Sequence, residues 1–159
     1  MKVEELAELL VSNQKTVSVA EACTCGLVGY MLSTVPGSSR YFPGGVIAYT
    51  GGLKQKILGV PDELYSTKGS VSPEMAIAMA KGVRDLTGTD YAISTTGVTG
   101  PTGGSSGNPI GTFYIGVVGP DGLEEAERIH TDADERDGNK RQAAQAVLDL
   151  LGRHVGGGG

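Results

Sequence analysis

The sequence predicts an α/β fold, a three-layer α/β/α sandwich with a mixed, mostly parallel sheet. Segments with helical and with strand periodicity alternate along the whole chain, a pattern typical of helices packed on both faces of one sheet. Two strand-like runs flank a long glycine-rich loop, and this hairpin-like pair favours a mixed over a purely parallel sheet. A length of 159 residues without an internal repeat indicates one domain with a sizeable core.

In the first part of the chain, segments whose apolar residues have helical spacing alternate with segments that have strand spacing. Near the N-terminus, leucines at helical spacing oppose Glu4, Glu5 and Glu8, which predicts an amphipathic helix. A second apolar helix stops before Pro36-Gly37, because neither residue continues a helix well. We predict, in order, a helix at 3–12, a strand at 16–20, a helix at 26–34, a strand at 46–49, a short helix at 53–58 and then a polar loop.

The second part of the chain opens with a marked helix start. Ser72 is a typical N-cap, and Pro73 suits the first helical position, where a backbone N–H is not needed. Residues 156–159 are all glycine, so we assign the domain to 1–155 and the remainder to a tail. We predict a helix from 73 to about 88, strands at 91–95 and 112–118, a turn at 120–122, a strand at 123–130 and a final helix at about 137–151.

Composition and charge argue against several classes of protein. Hydrophobic residues make up 39% of the chain, and no apolar run approaches the ~18 residues of a membrane span. The N-terminus lacks the charged-then-apolar pattern of a signal peptide, so we expect a cytoplasmic protein. A net charge of −5 argues against nonspecific nucleic-acid binding, which needs a basic surface.

The cysteines and histidines predict neither a disulfide framework nor a metal site. Cys23 and Cys25 are separated by a single residue, and His130 and His154 lie far from them in the sequence. We therefore expect no metal, and we also predict no cofactor. Both cysteines are expected to be buried small apolar side chains in a reducing compartment.

The segment from Gly97 to Thr112 is the most informative part of the chain. Its six glycines and two prolines prevent a regular element. Such a loop presents bare backbone N–H groups, which hold anions such as phosphate. A turn-rich hairpin connection explains the composition equally well. The segment lacks the Gly-Lys-Ser/Thr ending of a Walker A motif, which argues against ATP hydrolysis by that route.

Residues 21–26 lie between the first predicted strand and the helix that follows it. In open α/β folds ligands collect at such turns, because free backbone N–H groups at the helix start suit an oxyanion or a carboxamide oxygen. The alternative is an ordinary turn in which Thr24 caps the helix.

Two pairs of polar residues are further candidates. Tyr49 and Lys54 lie at and after the second predicted strand, where a partly desolvated lysine acts as a base with a tyrosine hydroxyl in the relay. Arg136 and Arg141 lie near the start of the last helix and suit a phosphate. The alternatives are a solvated surface lysine, and surface pairing of the arginines with nearby aspartates.

A series of short motifs occurs in one order along the chain. They are Glu21–Gly26, Pro36–Ser39, Gly44–Tyr49, Lys54 with Leu58–Val60, Gly69–Ser72, Thr96–Gly104, Pro109–Thr112 and Arg141–Ala143. Together they resemble the C-terminal domain family of the competence/damage-inducible protein CinA, which includes stand-alone nicotinamide mononucleotide deamidases. The resemblance covers nearly the whole chain before the glycine tail.

This resemblance implies a three-layer α/β/α fold that hydrolyses the carboxamide of nicotinamide mononucleotide to nicotinate mononucleotide and ammonia without a metal. It implies a homodimer or higher homo-oligomer whose ligand is nicotinamide mononucleotide or a related nucleotide, and the charge and hydropathy above predict no nucleic-acid or membrane partner. Its catalytic positions correspond to Ala22, Tyr49 and Lys54. Its substrate contacts correspond to Thr24, Cys25, Gly26, Thr96, Gly97, Gly100, Gly103, Gly104, Arg136 and Arg141.

One position departs from the family in a way that bears on catalysis. In the family's Glu-Ser-Cys-Thr-Gly-Gly motif the serine is the nucleophile, and this chain has Ala22 there and Cys25 in place of a glycine. A methyl group cannot attack a carbonyl. Loss of the nucleophilic serine lowers the rate of a serine protease on the order of 10⁶-fold. Two hypotheses stay open: an amidohydrolase, with Thr24 and Cys25 as nearby substitute nucleophiles, and a non-catalytic nucleotide-binding or assembly protein that retains the pocket.

Overall fold

The computed structural model describes residues 1–156, in which helices and strands are interleaved. The helices are α1 (Val3–Ser12), α2 (Leu27–Ser33), α3 (Gly51–Leu58), α4 (Asp62–Lys68), α5 (Pro73–Thr87) and α6 (Arg136–Gly156). The strands are β1 (Val17–Glu21), β2 (Gly44–Ile47), β3 (Tyr91–Gly97), β4 (Thr112–Val118) and β5 (Glu124–His130). None of these helices is both long and apolar enough to cross a membrane.

The strands form one sheet in the order β2-β1-β3-β4-β5. β2, β1 and β3 are parallel, and Glu21 at the end of β1 lies opposite Thr95 of β3. β4 runs antiparallel to both of its neighbours, β3 and β5. All strands except β4 therefore point the same way, which confirms the mixed, mostly parallel sheet.

Helices cover both faces of the sheet. One apolar cluster joins α1, α2 and α6 to the sheet and includes Leu10, Ile93 and Leu148. The other joins α3 and α5 to the opposite face and includes Ala92 and Met79. Successive residues of β3 enter opposite clusters because strand side chains alternate between faces. The predicted α/β/α layering is confirmed.

Most predicted elements are present with shifted ends. β2 begins at Gly44 instead of 46, and a Cβ on Gly45 would lie 2.3 Å from the Val19 carbonyl oxygen. Glycine is thus needed inside this strand, although its propensity argues against one. α6 begins at Arg136 and reaches Gly156, so it contains the first residue of the predicted tail. The rest of that tail, 157–159, lies outside the described residues.

The prediction of a polar loop after residue 58 was wrong for Asp62–Lys68, which forms α4. Leu64 is the residue of this short helix that packs against the core cluster. A single such position gives no repeating apolar stripe, so the helix is not marked in the sequence. Acidic residues in its first turn and Lys68 in its last suit the helix dipole.

Candidate functional site

Most of the predicted site residues lie at the edge of the sheet where the parallel strands end. Because β1, β2 and β3 are parallel, their carboxyl ends meet there. Glu21 ends β1 and Gly97 ends β3. The turn before α2 and the glycine-rich loop therefore start side by side.

A buried carboxylate organises the turn between β1 and α2. Glu21 is 1% exposed. Its carboxylate accepts hydrogen bonds from Thr24 Oγ1 at 2.6 Å and from the backbone N–H groups of Val28 and Gly29 at 2.8 and 3.0 Å. The start of α2 is thus capped by Glu21, and the alternative of a cap by Thr24 was wrong. The Thr24 hydroxyl instead lies 2.7 Å from Thr95 Oγ1 of β3.

Ala22 lies on the same face of the sheet as Lys54. Ala22 is buried, and its N–H donates to the Thr95 carbonyl oxygen at 3.1 Å. Its methyl group belongs to the core cluster that contains Leu58 of α3, and α3 also carries Lys54. Position 22, where the family has its serine, and Lys54 therefore lie on the same side of the sheet, the side covered by α3 and α5.

The two cysteines differ in exposure. Cys23 is buried against Phe113 and Ala143, and burial raises the pKa of its thiol to about 12. Cys25 is exposed, so the expectation of two buried cysteines was wrong for this residue. Cys25 and Gly26 have φ values of 48° and 98°. These successive left-handed residues turn the chain into α2 and leave the Cys25 side chain outside.

Lys54 is a buried amine without a carboxylate partner. It is 2% exposed. Its Nζ donates to Ser70 Oγ at 2.8 Å, to the Ser70 carbonyl oxygen at 3.3 Å and to Thr96 Oγ1 at 3.2 Å. No carboxylate within residues 1–156 forms an ion pair with it. Burial lowers the pKa of the Lys54 amine to about 8, because an ammonium ion is poorly solvated there.

Arg136 connects Tyr49 to the glycine-rich loop. Its guanidinium donates to the Tyr49 hydroxyl oxygen at 2.6 Å and to the Gly100 carbonyl oxygen at 2.7 Å. Tyr49 and Arg136 are both exposed, so a ligand can reach either group. Asn139, about one turn further along α6, donates to the Thr99 carbonyl oxygen at 3.0 Å. The first turn of α6 therefore holds the beginning of the loop.

Glycine is required at two loop positions for steric reasons. A Cβ on Gly97 would lie 2.4 Å from the Phe113 ring, and one on Gly100 would lie 2.6 Å from a side chain of the same loop. Gly100 also has a φ of 78°. Gly103 and Gly104 lie in the exposed part of the loop, with positive φ as well. Phosphate binding by this backbone stays a prediction.

Arg141 lies apart from these contacts. Its Nε donates to the Asp137 carboxylate at 2.9 Å, four residues earlier in α6, and both side chains are exposed. This is the surface pairing that the sequence offered as the alternative. A substrate contact of Arg141 stays a prediction, as do the functional roles of the other residues named from the resemblance.

Sequence reasoning missed two residues of this edge. Ser70 contacts Lys54 directly, and the available signal was its place in the Gly69–Ser72 motif, two residues before the N-cap Ser72. Asn139 is buried, and its side chain also accepts from the Ala133 N–H at 3.1 Å. The available signal for Asn139 was an amide side chain in the first turn of a helix whose buried face is otherwise mostly apolar. Within residues 1–156, no group of three or more His, Cys, Asp or Glu is arranged to hold a metal ion.

Sequence comparison places this chain beside named relatives. The family model for the CinA C-terminal domain matches residues 2–155. A CinA-like protein from Cyanothece sp. is 45% identical over 150 residues, which are 94% of this chain and 36% of the relative. A putative competence-damage inducible protein from Desulforudis audaxviator is 48% identical over 113 residues, 71% of this chain and 27% of the relative. The chain thus matches only 27–36% of the length of these relatives.

Solved structures show the same fold. The competence/damage inducible protein CihA from Agrobacterium tumefaciens superposes with a TM-score of 0.88 and is 30% identical in sequence. The matched region covers 95% of this chain and 94% of the CihA chain. A CinA superfamily protein from Klebsiella pneumoniae has a TM-score of 0.92 and 25% identity, covering 98% and 96%. With the family model matched over residues 2–155, these likenesses show that the chain belongs to the CinA C-terminal domain family.

Proposed function

We propose that this domain binds nicotinamide mononucleotide or a related nucleotide and hydrolyses its carboxamide to nicotinate mononucleotide and ammonia. The observation that supports this proposal most is Lys54, a buried amine with no ion-pair partner among the described residues. Its pKa of about 8 makes a sizeable neutral fraction available near neutral pH, as a general base needs. The family motifs around it point to the same chemistry.

The contacts of Arg136 support a nucleotide as the ligand. Its guanidinium carries a charge, is exposed and lies at the first turn of α6, where the helix dipole favours an anion. Its two protein partners, the Tyr49 hydroxyl and the Gly100 carbonyl, are neutral groups. A phosphate oxygen therefore replaces one of them with a gain in electrostatic energy.

Amide hydrolysis at this edge needs an attacking oxygen beside the base. The neutral Lys54 amine takes the proton of that group as it attacks the carboxamide carbon, and returns the proton to the departing ammonia. At the position of the family's serine this chain offers only the methyl group of Ala22. The proposal thus requires that another group supply the oxygen.

The buried methyl group of Ala22 favours a second candidate function. A protein that retains the pocket but binds nucleotide without hydrolysing it, or serves in an assembly, needs no nucleophile. Thr24 does not replace the serine, because its hydroxyl is engaged with Glu21 and Thr95.

A homodimer or higher oligomer in the cytoplasm is part of the proposal. β2 is the outermost strand on one side of the sheet, and its Ile47 is 50% exposed. On α2, Tyr30 is 66% exposed. Within residues 1–156, β2 pairs with β1 alone, and an edge strand with exposed apolar side chains favours pairing with another copy. Light scattering of the wild-type chain and of Ile47→Lys tests this, and an unchanged monomer mass in both contradicts it.

Ammonia release from nicotinamide mononucleotide tests the proposed reaction. We expect turnover by the wild-type chain that is lost in Lys54→Met and kept in Lys56→Met, whose exposed lysine lies on the same helix. A wild-type chain that binds the nucleotide but releases no ammonia contradicts the proposal and supports the binding protein. The same assay on Ala22→Ser then shows whether the missing hydroxyl alone accounts for the inactivity.

A further inference from the structure

Among the described residues, two hydroxyl groups contact the Lys54 amine, those of Ser70 and Thr96, and of the two only Ser70 is partly exposed. Its Oγ lies 2.8 Å from Lys54 Nζ, within hydrogen-bonding distance for proton transfer. Lys54 is buried, whereas Ser70 is half-buried and lies in the bend before α5. The hydroxyl thus stands between a desolvated amine and the surface.

The backbone of Ser70 is held in place from two sides. Its carbonyl oxygen accepts from Thr96 Oγ1 at 2.6 Å and from Lys54 Nζ at 3.3 Å. The carbonyl oxygen of the next residue, Val71, accepts from the Asn108 side chain of the glycine-rich loop at 3.0 Å. These bonds fix the hydroxyl relative to β3, α3 and the loop, as a preorganised nucleophile requires.

The hydroxyl proton of Ser70 is uncommitted. Within residues 1–156 the Ser70 hydroxyl accepts the Lys54 bond, and no protein acceptor takes its own proton. When Lys54 is neutral, the same 2.8 Å contact can reverse, with the serine donating to the amine lone pair. This is the starting arrangement of a serine activated by a lysine base.

The other candidate nucleophiles lack this combination. Thr96 Oγ1 also contacts Lys54, but it is buried and gives its proton to the Ser70 carbonyl. Thr24 is buried and hydrogen-bonded to Glu21. Cys25 is exposed but makes no hydrogen bond with Lys54 in the described part of the chain.

We propose that Ser70 is the nucleophile of this chain and Lys54 its general base, in place of a serine at position 22. This inference rests on the proposed amide hydrolysis. Ser70 Oγ forms a bond to the carboxamide carbon while its proton passes to Lys54. The C–N bond then breaks, the Lys54 proton leaves with the nitrogen as ammonia, and an ester stays on Ser70. Water, deprotonated by Lys54, then attacks that ester; the bond to Ser70 Oγ breaks, the proton held by Lys54 passes to the serine oxygen, and the carboxylate is released.

Labelling of the wild-type chain with diisopropyl fluorophosphate tests the pair without any substrate. We expect a phosphoryl adduct on Ser70, located by peptide mass spectrometry, with fluoride as the leaving group. Lys54→Met should slow the labelling by about 10²-fold or more, since the base is gone. Ser66→Ala is the matched control, because that hydroxyl is exposed on α4 and bonds only carbonyls of its own helix. No adduct, or an adduct on another residue, overturns the inference.

Ammonia release from nicotinamide mononucleotide by Ser70→Ala provides the second test. We expect a loss of several orders of magnitude with nucleotide binding retained. Turnover that is lost in Lys54→Met but kept in Ser70→Ala overturns the role of Ser70 and leaves the proposed function standing. A Ser70 adduct in a chain that releases no ammonia supports the Ser70–Lys54 pair and overturns the proposed function.

Discussion

The guanidinium of Arg136 donates a hydrogen bond of 2.6 Å to the hydroxyl oxygen of Tyr49. This bond joins the first turn of α6 to the segment between β2 and α3, residues far apart in the sequence. The same guanidinium holds the Gly100 carbonyl oxygen. Arg136 thus links two candidate substrate-binding segments, and its partners are groups that an anionic ligand can replace.

Replacement of Arg136 by alanine should weaken nicotinamide mononucleotide binding. The expected loss is about 1.5–3 kcal/mol, the usual contribution of a hydrogen bond to a charged group. Titration calorimetry measures it. Arg153→Ala is the control, because Arg153 lies near the other end of α6 and pairs with Glu127 of β5. An affinity equal to that of the wild type removes Arg136 from the binding site.

The deamidation rate should rise with pH. The pKa of the buried Lys54 amine is about 8, and only its neutral form accepts a proton from the nucleophile. At pH 7 roughly one molecule in ten carries neutral Lys54, and near pH 9 roughly nine in ten. A profile of kcat/KM between pH 6.5 and 9.5 should therefore show a single rise centred near pH 8. A flat profile contradicts the role of Lys54 as base.

Stability should also rise with pH in a narrow window. The folded-state pKa of Lys54 is lowered from 10.5 to about 8, so between those values the unfolded chain binds more protons. Unfolding therefore becomes less favourable as pH increases above 8. The Cys23 thiol acts in the opposite direction, most strongly above pH 9, because burial raises its pKa from 9.0 to about 12.

Between pH 8 and 9 the Lys54 amine should add about 1 kcal/mol to the free energy of unfolding, and the Cys23 thiol should offset roughly a third of that gain. Urea denaturation at both pH values measures it. Lys54→Met should lack the gain, and Lys56→Met should keep it, since Lys56 is exposed. If the free energy of unfolding of Lys54→Met rises by the same amount between pH 8 and 9, other groups cause the rise.

The effects of Ala22→Ser and Ser70→Ala on the deamidation rate should be non-additive. Restoring a hydroxyl at position 22 should increase deamidation by several orders of magnitude, because the resemblance places the family's nucleophile there. In that variant Ser70→Ala should have little effect, whereas alone it removes activity. Ammonia release from the four chains of this cycle measures the coupling. Equal losses from Ser70→Ala with and without Ala22→Ser contradict a substitute nucleophile.

Glu21→Ala should destabilise the fold. It removes the acceptor of two backbone N–H groups and of the Thr24 hydroxyl in a buried turn. Unsatisfied buried donors of this kind reduce the free energy of unfolding by about 2–4 kcal/mol. Thermal or urea unfolding checks this against Glu63→Ala, an exposed glutamate in the first turn of α4. Equal stability of the two variants shows that the turn holds without the carboxylate.

Local signals predicted most of the fold because its elements carry strong periodicity or caps. Ser72 accepts from the Met75 N–H at 3.1 Å, as its position before Pro73 indicates. α4 was missed because it carries little apolar surface, and the ends of β2 were misplaced because close packing against β1 overrides glycine propensity. Tertiary contact decided both cases.

The sequence by itself determined the fold class, the order of the elements other than α4, and the family motifs that contain Ala22, Tyr49, Lys54 and the glycine-rich loop. These follow from local spacing and residue type. Only the tertiary structure decided which groups meet. It shows that Ser70, which the sequence presented only as one residue of the Gly69–Ser72 motif, lies 2.8 Å from Lys54, and that burial lowers the pKa of that amine to about 8. Contact and desolvation depend on packing between segments distant in the chain, which no local pattern encodes.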